Sequence, residues 1–474
     1  MSKSTNVSKS FHKILAHFFP FMISYSATFN HQSMVLPEQE HLVYNIRLSS
    51  VGPGRVTGSD VVHDLSGLDI AMKLHYLKGV YFFTDQAVEG LTIRQMKETM
   101  FYWLNDYYIT CGRIRRTESG RPYIKCNDCG IRFVEGVCDK TIDEWLELGD
   151  DSLHNLLVYH RAIGPELSFS PSVYLQVTRF KCGGISLGMS WAHILGDAFS
   201  ASEFINNWGR YMARLKSNGP LTLPKSLDNK IEKPHDPNQF VKEPLSAKQV
   251  NPVGDLWIAA NNCKMETFSF YLSTLHLSSL QEKILGEDGR KRISPFSSVC
   301  AVIWQCIAKV REGFEPQIVT VCRKYPNYDN NVLSNSQIIS AIKADFSVME
   351  ADLKKLALLM ADDQGLDERN KIEAAVEKDD GVTDYIMYGT NLTFVNLEDA
   401  NLYELELKGQ KPKFAYYSIQ GVGDEGAVLF LPGPPKGSNT ENEGKLVTIT
   451  LPEDQVLKLK TELQRTGLLP TELE

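Results

Sequence analysis

The stretch ISLGMSWAHILGDAFSASEFINNWGRYM, residues 185–212, carries two periodicities separated by a turn. In its first half Ile185, Leu187, Met189 and Trp191 are apolar, and Ser186, Gly188 and Ser190 lie between them. That period of two predicts a strand with one buried face. In its second half Ala198, Ala201, Phe204, Ile205, Trp208 and Met212 recur at steps of three and four, which lines up one face of a helix. The turn between them is His193-Ile194-Leu195-Gly196-Asp197. A histidine at the end of a buried strand is held rigidly and can still face a cleft.

A neutral imidazole titrating near pH 7 can take a proton from an alcohol or amine as it attacks a carbonyl, so His193 is a candidate general base. The plainer alternative is a satisfied, partly buried histidine, and spacing alone does not choose between them. No second histidine or carboxylate stands at a metal-ligand spacing from it, so no metal is implied. No serine or cysteine sits in a GxSxG elbow. Direct acyl transfer to a bound acceptor therefore suits the site better than a covalent intermediate. On a helical turn Asp197 would share a face with His193. The change of period instead places it at the helix start, where it caps free amides or turns away toward an arginine.

Outward from this stretch, Val173, Leu175 and Val177 alternate, and Cys182-Gly183-Gly184 turns that strand back into the opening one as a hairpin. A strand begins near Val43, another lies within LDIAMKLHYLKGVYFF (residues 68–83), and residues 92–107 read as a helix with Ile93, Met96, Met100, Trp103 and Leu104 on one face. Residues 216–255 carry six prolines, from Pro220 to Pro252, in a polar stretch and read as a linker. Beyond it come a strand at 264–272, a helix at 297–310, a strand at 318–323, a helix at 349–360, and strands at 390–395 and 426–431. Such alternation predicts α/β layers in both halves, 41–215 and 256–474. Residues 1–40 combine Lys3, Lys9 and Lys13 with an apolar run from Ile14 to Phe29. They read as an extension outside the fold, with a targeting or membrane-associating leader as the alternative. The run is broken by His17 and Pro20 and is shorter than the roughly 20 residues of a spanning helix.

The 474 residues suffice for two or three domains, and 43% hydrophobic with 23% charged residues marks a globular chain. A formal charge of -8 disfavours nucleic acid as a partner. Nine irregularly spaced cysteines suggest a reducing compartment. The Cys126/Cys129 pair lacks the second pair that a zinc site needs and reads as a hairpin turn.

His193-Ile-Leu-Gly-Asp197, preceded by Ser190-Trp191-Ala192, resembles the HxxxD motif of the plant BAHD acyl-CoA-dependent acyltransferases, and the resemblance runs from Val43 to the C-terminus. It implies two chloramphenicol-acetyltransferase-like α/β domains with mixed sheets and a channel between them, His193 at its centre. A coenzyme A thioester would enter from one side and an acceptor from the other. The resemblance makes Asp197, with Gly196, structural. It pairs the aspartate with an arginine, a place Arg323 fills at the end of IVTVCR. The family's second motif, DFGWGKP, matches Glu406 to Pro412, ELKGQKP. Lys411 and Pro412 survive, Glu406 replaces the aspartate, and Gly409 stands in a loop that has lost the family's glycines and aromatics. That loop supports the coenzyme side in the family, so its degeneration argues against ordinary turnover, and Lys408 and Gln410 change its backbone options.

ESGRPYIKCNDCGIRFVE (118–135), LDIAMKLHYLKGVYFF, FSPSVYLQVTRFKCGGISLGMSWAHILGDAFSAS and YGTNLTFV resemble the Eceriferum (Glossy-type) wax group of that superfamily more closely. This likeness implies a protein that promotes very-long-chain fatty acid elongation for cuticular wax together with the elongase condensing enzyme, a membrane protein. It implies peripheral attachment at the cytosolic face of the endoplasmic reticulum and a monomeric fold. No tightly bound cofactor is expected, and acyl-CoA is the expected substrate or ligand. The alternatives are an active acyltransferase with His193 as base, and a scaffold that binds no acyl chain.

Overall fold

The computed structural model of the protein describes residues 42–217, 243–289, 293–311, 313–326, 333–361, 366–435 and 444–469. The extension at 1–40 and residues 218–242 of the proline-rich stretch lie outside the described residues. Among the described residues no helix is long and apolar enough to cross a membrane.

The described residues form a mixed α/β fold with two sheet-rich regions. A six-stranded sheet runs in the order Tyr44–Val51, Ile131–Cys138, Val173–Phe180, Ile185–Ala192, Tyr76–Phe83, Phe414–Gln420. Its pairs are antiparallel except Ile131–Cys138 with Val173–Phe180. Its last strand comes from the second half of the chain. A seven-stranded sheet runs Met265–Leu272, Lys445–Pro452, Ala427–Pro432, Leu392–Asn396, Ile318–Arg323, Ile338–Lys343, Leu366–Asp367, with parallel pairs on both sides of Leu392–Asn396.

The opening strand forms at Ile185–Ala192, and the predicted hairpin brings it back against Val173–Phe180 through Gly183, whose φ of 85° no β-branched residue tolerates. Yet the strand has two buried faces, not one: all eight residues are buried. The segment around Leu157 covers the second face. A Cβ on Gly188 would stand 1.9 Å from the Leu157 carbonyl oxygen, so Gly188 is there for a close backbone approach, while Ser186 and Ser190 are buried polar residues.

The helix read at 92–107 spans Ile93–Asp106. Thr92 caps it by accepting from the Gln95 amide, and the Gln95 side chain returns the bond. The second-half helix spans Pro295–Val310, with Ser294 as cap and a proline in its first turn. The helix read from 349 begins only at Leu353, where the Asp352 carboxylate caps its first turn by accepting from the Lys354 amide at 3.0 Å. The Cys126/Cys129 turn is not a hairpin. It links strand Pro122–Lys125 of a separate three-stranded sheet to Ile131–Cys138 of the six-stranded one. Within the stretch read as linker, Lys248–Val250 pairs with Asp384–Ile386, and the Leu245 and Ser246 amides donate to buried Glu368.

An aromatic cluster fastens the opening strand to its helix. Phe204 lies 5.0 Å from Trp191 and 4.2 Å from Trp103, between ring centres, and Trp208 is 5.9 Å from Trp103. Gly188→Ala is expected to destabilise the protein by about 1–3 kcal/mol, because the new methyl must displace the Leu157 backbone. A urea-unfolding midpoint equal to wild type would show that the two segments do not touch.

Candidate functional site

The strand ends at Ala192, and His193–Leu195 makes one tight turn before the helix Ala198–Ser217. The Trp191 indole N–H donates to the Gly196 carbonyl at 2.9 Å and closes the turn. Gly196 has φ 149°, and a Cβ there would stand 2.8 Å from the Ser200 Cβ and 3.0 Å from the Ser334 nitrogen. The helix start and a second segment thus both close in on one glycine.

Asp197 is fully buried and joins those two segments. Its Oδ1 accepts from the Phe199 and Ser200 amides at 3.1 and 3.0 Å, the N-cap expected from the change of period. Its Oδ2 accepts from the Ser336 and Gln337 amides at 3.0 and 3.1 Å. Its own amide donates to the Ser334 carbonyl. Burial pushes its carboxyl up to about 6, against four amides that favour the charged form.

The expected Asp197–Arg323 pair is not made. Arg323 donates to the Met360 carbonyl and lies 5.9 Å over the Phe296 ring. The cause is strand parity. Arg323 shares a face with Val319 and Val321, which pack in the core around Pro295–Val310, whereas Cys322 faces the other core, toward Asp197. Backbone amides take the place of the arginine.

His193 is also fully buried. Its amide donates to the His75 carbonyl at 3.0 Å. Its carbonyl accepts from Asn335 Nδ2 at 2.8 Å, and Asn335 is anchored through both its amide and Nδ2 on Asp69 Oδ1. On the ring, Nε2 lies 2.9 Å from the Tyr388 hydroxyl, which receives a 2.9 Å bond from Gln337 Nε2. Two proton arrangements satisfy the phenol: it accepts from Gln337 Nε2 and donates to His193 Nε2, or it donates to Gln337 Oε1 at 3.2 Å and accepts from His193 Nε2–H. In both, Nε2 is engaged by Tyr388, and Nδ1 has no partner among the described residues. Tyr388 lies between two imidazoles, 5.3 Å from His193 and 5.1 Å from His75. His75 Nε2 accepts from the Met387 amide. Burial pulls the His193 pKa down to about 4, and burial with His193 nearby pulls His75 down to about 3. Burial also raises the Tyr388 phenol well above its ordinary value. At neutral pH the cluster carries two neutral rings and a protonated phenol.

The second-motif segment lies elsewhere. Leu407 and Gln410 pair across a two-residue turn in which Lys408 has φ 53° and Gly409 φ 78°, the left-handed pair of a tight hairpin. Lys408 thus takes a conformation that favours glycine. Its ammonium donates to the Glu89 carbonyl, and Lys411 pairs with Glu404 at 2.8 Å. Pro412 is buried and Glu406 exposed. The Glu406 carbonyl approaches Gly209 of the helix Ala198–Ser217 so closely that a Cβ there would be 2.8 Å away.

The structure therefore brings together His193, Gly196 and Asp197, and leaves Arg323 and Glu406–Pro412 outside their hydrogen bonds. Sequence reading missed Asp69, His75, Asn335, Ser336, Gln337 and Tyr388. His75 and Tyr388 lie inside LDIAMKLHYLKGVYFF and YGTNLTFV, but no spacing ties either to His193.

Two outcomes follow from this geometry. Asp197→Ala removes the acceptor for four buried amides, so it is expected to cost at least about 2–4 kcal/mol, measured as a drop in the urea midpoint. Stability should also fall with acid. His75, His154, His160 and His193 all have folded pKa values lowered by burial, to about 3, 4, 3 and 4. The unfolded chain takes up those protons near pH 6.5 and the folded chain does not, so their stability is intact above that pH and lost as pH falls toward 4. Asp197 works in the opposite sense below about pH 6, and Asp106, Asp151 and Glu373, whose carboxyls burial also raises, do so less strongly. The unfolding midpoint at pH 5 should lie clearly below that at pH 7; equal midpoints would contradict neutral buried rings.

A family model described as Transferase family matches residues 49–328. Protein ECERIFERUM 26 of Arabidopsis thaliana is 43% identical over 428 residues, 90% of this chain and 96% of that protein. Among solved structures, vinorine synthase superposes with a TM-score of 0.65 at 16% identity, covering 90% of this chain and 98% of its own. TRI101 of F. graminearum, complexed with ethyl coenzyme A, superposes with a TM-score of 0.64 at 15% identity, covering 86% and 98%. The structural likenesses establish the fold and bear out the expected architecture of mixed sheets. Because the family match covers more than half of the chain and the sequence likeness nine-tenths of it, the chain belongs to the Transferase family, the BAHD acyltransferases.

Proposed function

We propose that this protein promotes very-long-chain fatty acid elongation for cuticular wax as an accessory to the membrane-bound condensing enzyme of the elongase. It works at the cytosolic face of the endoplasmic reticulum and is held there through that partner. The observation that carries this reading is the Tyr388 hydroxyl on His193 Nε2. A general base must offer that lone pair to the acceptor's proton, and it works best with a pKa near the ambient pH. Here the nitrogen is engaged, the ring is buried, and its pKa is pulled down to about 4. The near full-length likeness to ECERIFERUM 26 supports the same reading, as does the degenerate second motif. Acyl-CoA is the proposed ligand, supported by the coenzyme complex of the TRI101 neighbour. A very long chain gains about 0.8 kcal/mol per buried methylene, so a protein that handles one must cover it or pass it directly to a membrane partner.

A second reading is acyl transfer, favoured by the intact His193 turn and the Asp197 cap. In it, Nε2 takes the acceptor's O–H proton as that oxygen bonds to the thioester carbonyl. The C–S bond then breaks, and the coenzyme leaves as a thiol with the proton. Tyr388 must first release Nε2. His193→Ala, expressed in a plant that lacks the native protein, is expected to restore the same wax chain lengths as wild type. Collapse to shorter chains, together with loss of coenzyme A release by the purified protein, would favour acyl transfer instead.

A further inference from the structure

Strand Tyr76–Phe83 places Lys78 in register with Ser190 on one neighbouring strand and Ser418 on the other, all three on one face of the six-stranded sheet. Lys78 and Ser418 line a cavity of about 600 Å3, within the usual roughly 300–1,000 Å3 of ligand sites. The Lys78 ammonium has three donors, and its one hydrogen-bond partner among the described residues is the neutral Asn155 Oδ1, at 3.0 Å. No described carboxylate stands within ion-pair distance of it. Burial pulls its pKa to about 8, so most of it is still charged at pH 7. Lys78 is half-buried, and an anion entering the cavity would supply the counter-charge that its ammonium lacks. Beside it, His160 Nδ1 meets Ser190 Oγ at 2.8 Å while its buried Nε2 has no partner.

The rest of the wall states what kind of anion fits. Leu74, Val80, Val158, Ile258 and Val422 make part of the lining apolar, which suits a hydrocarbon body. Asp150, Asp151 and Glu266 also line the cavity; they repel any anion, and a multiply charged head in proportion to its charge, so the head must sit at the Lys78 end and carry a single charge. The second ammonium on the wall, Lys264, is already paired with Glu453. One cation remains for one negative charge.

We infer that this cavity binds an apolar monocarboxylate, with its carboxylate on the Lys78 ammonium and the Ser418 hydroxyl and its hydrocarbon along the apolar wall. The ligand is a free acid rather than a thioester, since a thioester carries no charge at that end. The inference does not depend on the elongation role and fails separately from it, because its readout is binding and not wax chain length.

The test is calorimetric titration of the purified full chain with dodecanoate, dodecanol and dodecyl phosphate, each below its micellar concentration. Dodecanoate is expected to bind, and dodecanol to bind at least about tenfold more weakly. Lys78→Met should weaken dodecanoate by about tenfold or more without lowering the unfolding midpoint, and Lys78→Arg should keep most of the affinity. Equal affinity for the acid and the alcohol overturns the proposal, as does unchanged binding by Lys78→Met. Tighter binding of dodecyl phosphate overturns the assignment to a monocarboxylate. Should Lys78→Met fail to fold, the three ligands on wild type decide the matter.

Discussion

The carboxylate of Asp197 is the joint of the structure around the turn. Two of its four amides belong to the helix it starts, and two belong to the segment that leads into strand Ile338–Lys343. A buried carboxylate is tolerable only when its lone pairs are filled, and here backbone amides fill them. The arrangement fixes the helix Ala198–Ser217, the segment Ser334–Gln337 and the turn between His193 and Gly196 as one body. An ion pair with an arginine would hold one point. Four directional amides hold two stretches of backbone in a set orientation.

Everything around His193 inherits that orientation. Asn335 reaches the His193 carbonyl because Ser336 and Gln337 are pinned to Asp197, and Gln337 presents its amide to Tyr388 for the same reason. The ring is thereby shut into a neutral, hydrogen-bonded cluster. This chain keeps the HxxxD turn and sets a phenol 2.9 Å from the Nε2 of its histidine. The geometry of an HxxxD turn and the availability of its base are separate properties, because the first depends on Asp197 and Gly196 and the second on Tyr388.

Much of the fold was legible along the chain. Period two marked Ile185–Ala192 and its hairpin, and period three-to-four marked Ile93–Asp106 and Pro295–Val310, because a side chain's direction follows from its local backbone geometry. The capping role of Asp197 was legible for the same reason: it stands where the period changes. Less legible was the second buried face of Ile185–Ala192, which rests on the Leu157 backbone packing onto Gly188. The Cys126/Cys129 turn was misread as a hairpin because local turn chemistry does not say that the flanking strands belong to different sheets.

The sequence by itself determined that a strand, a tight turn and a capped helix would hold His193, Gly196 and Asp197 together, since those three lie within five residues and share one local geometry. Only the tertiary structure decided what meets them. Tyr388 is 195 residues from His193, and nothing in the spacing of either predicts a 2.9 Å contact. Arg323 lies on a strand buried on both faces, so its alternation was readable but not which face looks toward Asp197. Local periodicity is written by neighbours in the chain. The partner of a buried nitrogen is chosen by how two sheets and their connecting segments close over it.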